Sequence, residues 1–396
     1  MSIYLDNHAT TCIDPAVIDV MVRMMETNYA NPGSTTHEAG RLVSGLVADA
    51  TQSIASHFHA EPDEIIVTSG ATESNNLALF GVAMHPKQTR RRIVSAVTEH
   101  RAILDPLVQL EKHGFEVVRL PVFPNRHPFA GGIDLSLAAE SINENTAIVS
   151  IMLANNEIGN IQPLAEIAKL CQRWSVPLHT DATQAVGRMP MDVQSMGVDL
   201  LSFSAHKFYG PKGIGGLFVR QSPAAVRIQA QIVGGGQQFN LRSGTLNSIG
   251  IVGMAKALEV VESNLLTDMP QQAYLRNLLW ELLNERIDGL LLNGPDWNAL
   301  APRESTRLVN NLNVCFPKVE GQSLMLEVPD LAVSSGSACT SVEPHPSHVL
   351  RGIGLSEDQA RASLRFGIGR FNTEAEIRTV AGWIGKAHAK LAAFAA

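Results

Sequence analysis

The sequence predicts an α/β chain in two parts: a large domain built on a mainly parallel seven-stranded sheet, and a smaller α/β domain after it. Three observations support this. Short β-rich apolar runs alternate with amphipathic stretches over the first two thirds of the chain. A long helical region follows, and a second strand-and-helix pattern comes after it. At 396 residues the chain also exceeds what one ordinary core encloses.

The seven strands fall at Ile65–Thr68, 93–97, Glu116–Leu120, 147–153, 177–179, 200–203 and 217–220. Most are continuous apolar runs, which marks strands covered on both faces. Stretches 75–84, 102–113 and 164–174 carry helical periodicity between them. Parallel strands need such crossovers, and ligands gather at the carboxyl ends of a sheet built this way. Helical sequence continues over 249–262 and 271–287, and the Gly-, Pro- and Asn-rich stretch 293–304 reads as a loop. Strand-like 308–316 and 330–333 precede a serine- and glycine-rich stretch, with helices to the end. The expected division is a large domain over residues 15–260 and a small domain made of residues 1–14 and 261–396.

Composition narrows the class. Hydrophobic residues make up 45% and charged residues 17%, as in a soluble globular protein. The net charge of −7 argues against a mainly electrostatic grip on nucleic acid. No apolar run approaches a membrane span, and the start has no basic region followed by an apolar one, so no secretory signal is expected. Cys12, Cys171, Cys315 and Cys339 are far apart and form no CxxC pair, so neither a zinc site nor a redox dithiol is expected. Sparse cysteines in a large chain fit a reducing cytoplasm.

The chemistry-bearing residues follow the strands. Ser202-Phe203-Ser204-Ala205-His206-Lys207 ends one and runs into Gly210-Pro211-Lys212-Gly213. A lysine here suits Schiff-base chemistry, because burial favours the neutral amine that attacks an aldehyde. Taken alone, the same string reads as a surface loop. Asp181, in His179-Thr180-Asp181-Ala182-Thr183-Gln184, ends another strand. Its carboxylate could pair with a protonated pyridine nitrogen, or could cap a helix. The spacing from Asp181 to Lys207 suits two adjacent strands joined by a short crossover, which puts both side chains on one rim.

Thr68-Ser69-Gly70-Ala71-Thr72-Glu73-Ser74 joins a strand to a helix, where small residues and unpaired N–H groups make a phosphate cup or an ordinary cap. The GxGxxG fingerprint of nicotinamide enzymes is absent there. His100, in Thr98-Glu99-His100, could stack on a flat ring. Asn155-Asn156-Glu157-Ile158-Gly159 offers amides or a plain turn. Cys339 sits in Ser334-Ser335-Gly336-Ser337-Ala338-Cys339-Thr340-Ser341, unlike Cys315 in its apolar run. A thiol in such a setting is read as functional, able to approach a substrate and leave with its product.

Together these motifs resemble the cysteine desulfurases of the NifS/IscS type, a branch of the fold-type I pyridoxal-5′-phosphate (PLP) enzymes related to aminotransferases. The likeness runs along nearly the whole chain. It also takes in Tyr4-Leu5-Asp6 with Ala9-Thr10-Thr11, Asn31-Pro32-Gly33-Ser34 and Arg242-Ser243-Gly244-Thr245. It departs at Asn7-His8, and at Ala205 where a glycine is common. The resemblance implies PLP as cofactor, linked to Lys207, with Asp181 on the pyridine nitrogen and His100 stacked on the ring. It implies that Ala71, Thr72, Ser204 and His206 bind the phosphate, with Thr245 supplied by the second subunit of a homodimer. Asn156 and Gln184 would contact the ring oxygen. Asn156 and a two-bond clamp from Arg365 would hold the substrate carboxylate.

The activity implied is conversion of L-cysteine to L-alanine. Lys207 would move the α-proton, His100 would do acid–base work, and Cys339 would carry the sulfur as a persulfide to a protein acceptor. Iron–sulfur assembly, tRNA thiolation and DNA phosphorothioation all remain open as destinations, so nucleic acid would enter only through an acceptor. A selenocysteine lyase or another aminotransferase-like PLP enzyme is the alternative on this fold. A non-catalytic sulfur relay is the alternative of another class.

Overall fold

The computed structural model describes residues 2–297, 306–335 and 346–394. A short strand, β1 (Ile3–Tyr4), precedes seven longer ones: β2 (Ile65–Thr68), β3 (Arg92–Ala96), β4 (Glu116–Leu120), β5 (Thr146–Ser150), β6 (Leu178–Asp181), β7 (Leu200–Ser204) and β8 (Gly215–Val219). β9 (Leu291–Leu292), β10 (Asn311–Cys315), β11 (Leu331–Ala332) and β12 (Ser363–Gly367) follow.

The main sheet is the seven-stranded one expected, in the order β2-β8-β7-β6-β5-β3-β4. Neighbours from β7 through to β4 pair in parallel, whereas β8 runs antiparallel to both β7 and β2. All strands but β8 therefore point one way. Side chains alternate between two buried faces, as a pleated strand requires. Val67, Val94, Val149 and Leu201 join one core cluster, and their neighbours Ile66, Ile93, Ile148 and Leu200 join another. That is why these segments read as unbroken apolar runs.

A second core lies between the far half of a long helix, β10, β12 and the C-terminal helix Glu374–Phe394. It contains Leu275, Leu279, Leu283, Leu312, Val314, Leu364, Phe366, Ile377 and Ile384. β10 pairs antiparallel with β9 and β12. The N-terminal β1 pairs in parallel with β11, and Ile3 and Leu5 are buried in this same core.

Two expectations differ from the structure. The helical sequence after residue 248 forms one helix, Ser248–Asn284, with Pro270 inside it. A proline there removes a hydrogen bond and costs about 3 kcal/mol, but the helix buries Met254, Leu258 and Val261 in one core and Leu275 and Leu279 in the other. Burial on both sides of the proline outweighs the local defect. The second difference is β12, which sequence pattern assigned to helix. All five of its residues are buried, Arg365 included, and a central arginine hides the apolar run.

Gly159 ties the loop after β5 to the small sheet. It has φ +71°, and a Cβ there would lie 2.6 Å from Asn311 Cβ. Gly159→Ala should therefore cost about 3 kcal/mol from backbone strain and overlap together. Thermal unfolding would register this as a clear drop in midpoint. An unchanged midpoint would mean that the loop is free to shift.

Candidate functional site

The carboxyl ends of β2, β3, β5, β6 and β7 open onto a single cavity of about 590 Å³. Because β8 runs backwards, its amino end reaches the same rim, bringing Lys212 and Gly213 to the lining. Ala71, Thr72, His100, Asn156, Asp181, Gln184, Ser204, His206, Lys207 and Arg365 all line this cavity. Thr245 is exposed and does not line it. Cys339 lies outside the described residues.

Lys207 ends a short 3₁₀ turn, Ala205–Lys207, directly after β7. Its Nζ donates to the carbonyls of His8 (2.6 Å) and Ala9 (2.7 Å). Those carbonyls are themselves held. Gln184 Nε2 donates to His8 O, and Arg188, buried beneath, donates to Asn7 O, to Lys207 O and to Gln184 Oε1. Burial pulls the Arg188 pKa down to about 10, which still leaves it charged at neutral pH.

Asp181 ends β6, and its carboxylate is oriented at both oxygens. Oδ2 accepts from Asn75 Nδ2 at 2.7 Å and Oδ1 from the Thr183 N–H at 3.0 Å. Asn75 lies on the helix Ala71–Ala83, whose first N–H groups have no intrahelical acceptor. Gly70 enters that helix with φ +145°, a backbone conformation that a side chain would strain, while an added Cβ would only touch Ser204 Oγ at 3.4 Å. A helix start facing a lysine and an oriented carboxylate is a donor set suited to a phosphate-bearing, cationic ring. Thr183 Oγ1, buried at the cavity wall, has no hydrogen-bond partner among the described residues, so the lining keeps polar capacity for a ligand.

The two imidazoles on the other wall differ. His100 caps the helix Arg101–Lys112, and its Nδ1 accepts the Ala102 N–H at 3.1 Å. A neutral His100 thus carries its proton on Nε2. His348 instead donates from Nε2 to the Glu99 carbonyl at 2.9 Å, leaving Nδ1 as its basic atom. Ser347 beside it donates to the buried Glu157 carboxylate. Gln184, which also lines the cavity, is bonded on several sides. Its Oε1 is taken by His8 Nδ1–H and by Arg188, and one N–H by the His8 carbonyl, so its amide chiefly braces the lysine seat.

Arg365 reaches the cavity from β12. Nη1 donates to Asn156 O (2.9 Å), and Nη2 donates to Asp6 Oδ1 (2.8 Å) and Ser334 Oγ (2.7 Å). Arg188 and His348 have no sequence signal, while Asp6, His8 and Glu157 stand inside motifs whose other residues drew the attention. Each meets the site through a partner far away in the chain.

A protein-family model for aminotransferase class-V matches residues 3–380. The chain is 47% identical over 375 residues to a probable mitochondrial cysteine desulfurase of Dictyostelium discoideum, covering 95% of this chain and 80% of that one. It is 45% identical over 379 residues to a cysteine desulfurase IscS of Vibrio campbellii, covering 95% and 90%. A solved structure of a NifS-like protein superposes with a TM-score of 0.87 at 32% identity, over 98% of this chain and 99% of that one. Another, described as SspA in complex with cysteine, gives 0.79 at 31% identity over 94% and 100%.

The buried rings make stability depend on pH. Burial lowers the pKa of His8 and His100, and holds His179 and His206 down to about 4. In the unfolded chain these rings titrate near 6.5. Between those values the unfolded chain binds more protons, so stability is full above the window and declines as pH falls through it. Thermal midpoints taken from about pH 7.5 down to about pH 5 should decline, and His179→Gln should flatten the slope. A level profile in the native chain would mean that these rings charge freely in the fold.

Proposed function

The chain belongs to the aminotransferase class-V family and is a cysteine desulfurase, and we propose that Lys207, Asp181 and their neighbours hold pyridoxal 5′-phosphate while Cys339 takes the sulfur. One observation carries this reading: the Lys207 amine, the doubly oriented Asp181 carboxylate and a helix start converge on one cavity. The Ala71 and Thr72 N–H groups, Ser204 and His206 suit the phosphate, and the His100 ring suits a face of the pyridine. Bound there, the cofactor supplies an electron sink for the carbanion formed at the substrate's α-carbon.

The residues then divide the work. Arg365 and Asn156 hold the carboxylate of L-cysteine. Lys207 leaves the His8 and Ala9 carbonyls, takes the α-proton at Nζ and returns it on the way to alanine. The Cys339 thiolate bonds to the substrate's sulfur as the carbon–sulfur bond breaks. Sulfur stays on Cys339 as a persulfide, and L-alanine is released. A protein acceptor then takes that sulfur by thiol exchange.

Thr245 is exposed, and so are Val233 (81%) and Phe239 (63%) earlier in the same stretch of chain. Such exposed apolar groups support a homodimer in which Thr245 serves the other subunit's phosphate. Cys12, Cys171 and Cys315 are free thiols, which supports a reducing compartment such as the cytoplasm. Among the described residues no helix is long and apolar enough to cross a membrane.

Lys207→Ala should abolish the cofactor's protein-linked visible absorbance and lower alanine formation from L-cysteine by roughly 1000-fold. Cys339→Ser should keep that absorbance, yet show no sulfur adduct by mass spectrometry after exposure to L-cysteine. A band retained in the first variant, or ordinary turnover in the second, would remove the respective assignment.

A further inference from the structure

Arg365 comes to the cavity with one carboxylate already on it. The side chain is 2% exposed and its donors are largely assigned. Both Nη2 hydrogens are used, on Asp6 Oδ1 and Ser334 Oγ, and Ser334 Oγ in turn donates to the same Asp6 oxygen at 2.7 Å. Nη1 gives one hydrogen to Asn156 O. Nε–H is buried and has no partner among the described residues. Asp6 itself does not line the cavity; it stands behind the arginine.

We propose that Asp6 is a positioning residue that sets how tightly the substrate's carboxylate is held, by sharing the Arg365 guanidinium with it. The inference rests on the reading of Arg365 as the carboxylate clamp. An incoming carboxylate meets a guanidinium whose charge Asp6 already balances, in a setting where little water screens either one. Nε–H is open to it, but the remaining Nη1 hydrogen points to another side, so only a single contact is available directly. To gain the paired contact through Nη2 that a two-bond clamp on Nε and Nη2 requires, it must draw that group away from Asp6. The pair thus competes with the ligand.

The competition acts on substrate and product alike. L-cysteine and L-alanine carry the same α-carboxylate and differ only at the β-carbon. A site that held this group with an unopposed arginine would bind both more tightly, with no gain in the chemical step. Asp6 keeps the affinity moderate, which lets alanine leave. Ser334 keeps Asp6 and Nη2 in register but carries no charge of its own.

The test uses the cofactor-loaded enzyme. Asp6→Asn removes the charge and keeps the shape. KM for L-cysteine and the inhibition constant for L-alanine should fall together, by roughly tenfold. L-alanine should also raise the thermal midpoint more in the variant than in the native enzyme, a measurement that stands even if turnover is lost. Constants that rise or stay level in Asp6→Asn overturn the proposal. Arg365→Gln separates the two levels: both constants should rise. If they do not, the clamp reading itself fails; if they do while Asp6→Asn has no effect, only the role of Asp6 fails.

Discussion

The cavity depends on how residues 6–11 lie across it. This stretch leaves the core around β10 and β12 at Leu5 and runs to the main sheet, offering one polar group after another to the site's cations. Asp6 takes Arg365, the Asn7 carbonyl takes Arg188, and the His8 and Ala9 carbonyls take the Lys207 amine. Thr10 and Thr11 then bond to His206. A cation in a half-buried site must be met by acceptors or it will not stay there. Here the acceptors are mostly backbone carbonyls, which do not titrate and cannot leave.

That arrangement explains which parts of the site sequence reveals. Lys207, Asp181, His100 and the Gly70 turn were legible because each closes an apolar strand, and strand ends are where a parallel sheet gathers ligands. His8 and Arg188 were not, and Asp6 showed only as part of the Tyr4-Leu5-Asp6 motif, since their meaning lies in contacts far away in the chain. Arg188 looks like an ordinary charged residue after a glycine. Only in the fold is it buried against four oxygens. The same limit hid β12, where an arginine broke an apolar run that is nonetheless wholly buried.

Electrostatically the site separates fixed charge from neutral polarity. Asp181 accepts from an amide at one oxygen and from a backbone N–H at the other. Burial disfavours the charged form of His100. Each imidazole on this wall has one ring nitrogen fixed by a neighbour, Nδ1 of His100 by a backbone N–H and Nε2 of His348 by a carbonyl, so the two turn different nitrogens toward whatever lies between them.

The reversed strand β8 has a kinetic corollary. Because it pairs antiparallel with β7, from Ser204↔Gly215 to Leu200↔Val219, the lysine sits in the bend of a local hairpin. Such a contact closes a small loop and can form early. The seat for that lysine is supplied from almost 200 residues upstream, and the arginine's partner from 359 residues away. Loop-closure entropy places such pairings late in folding. The local hairpin that bears the amine is thus favoured to close before the amino-terminal strap docks and completes the pocket.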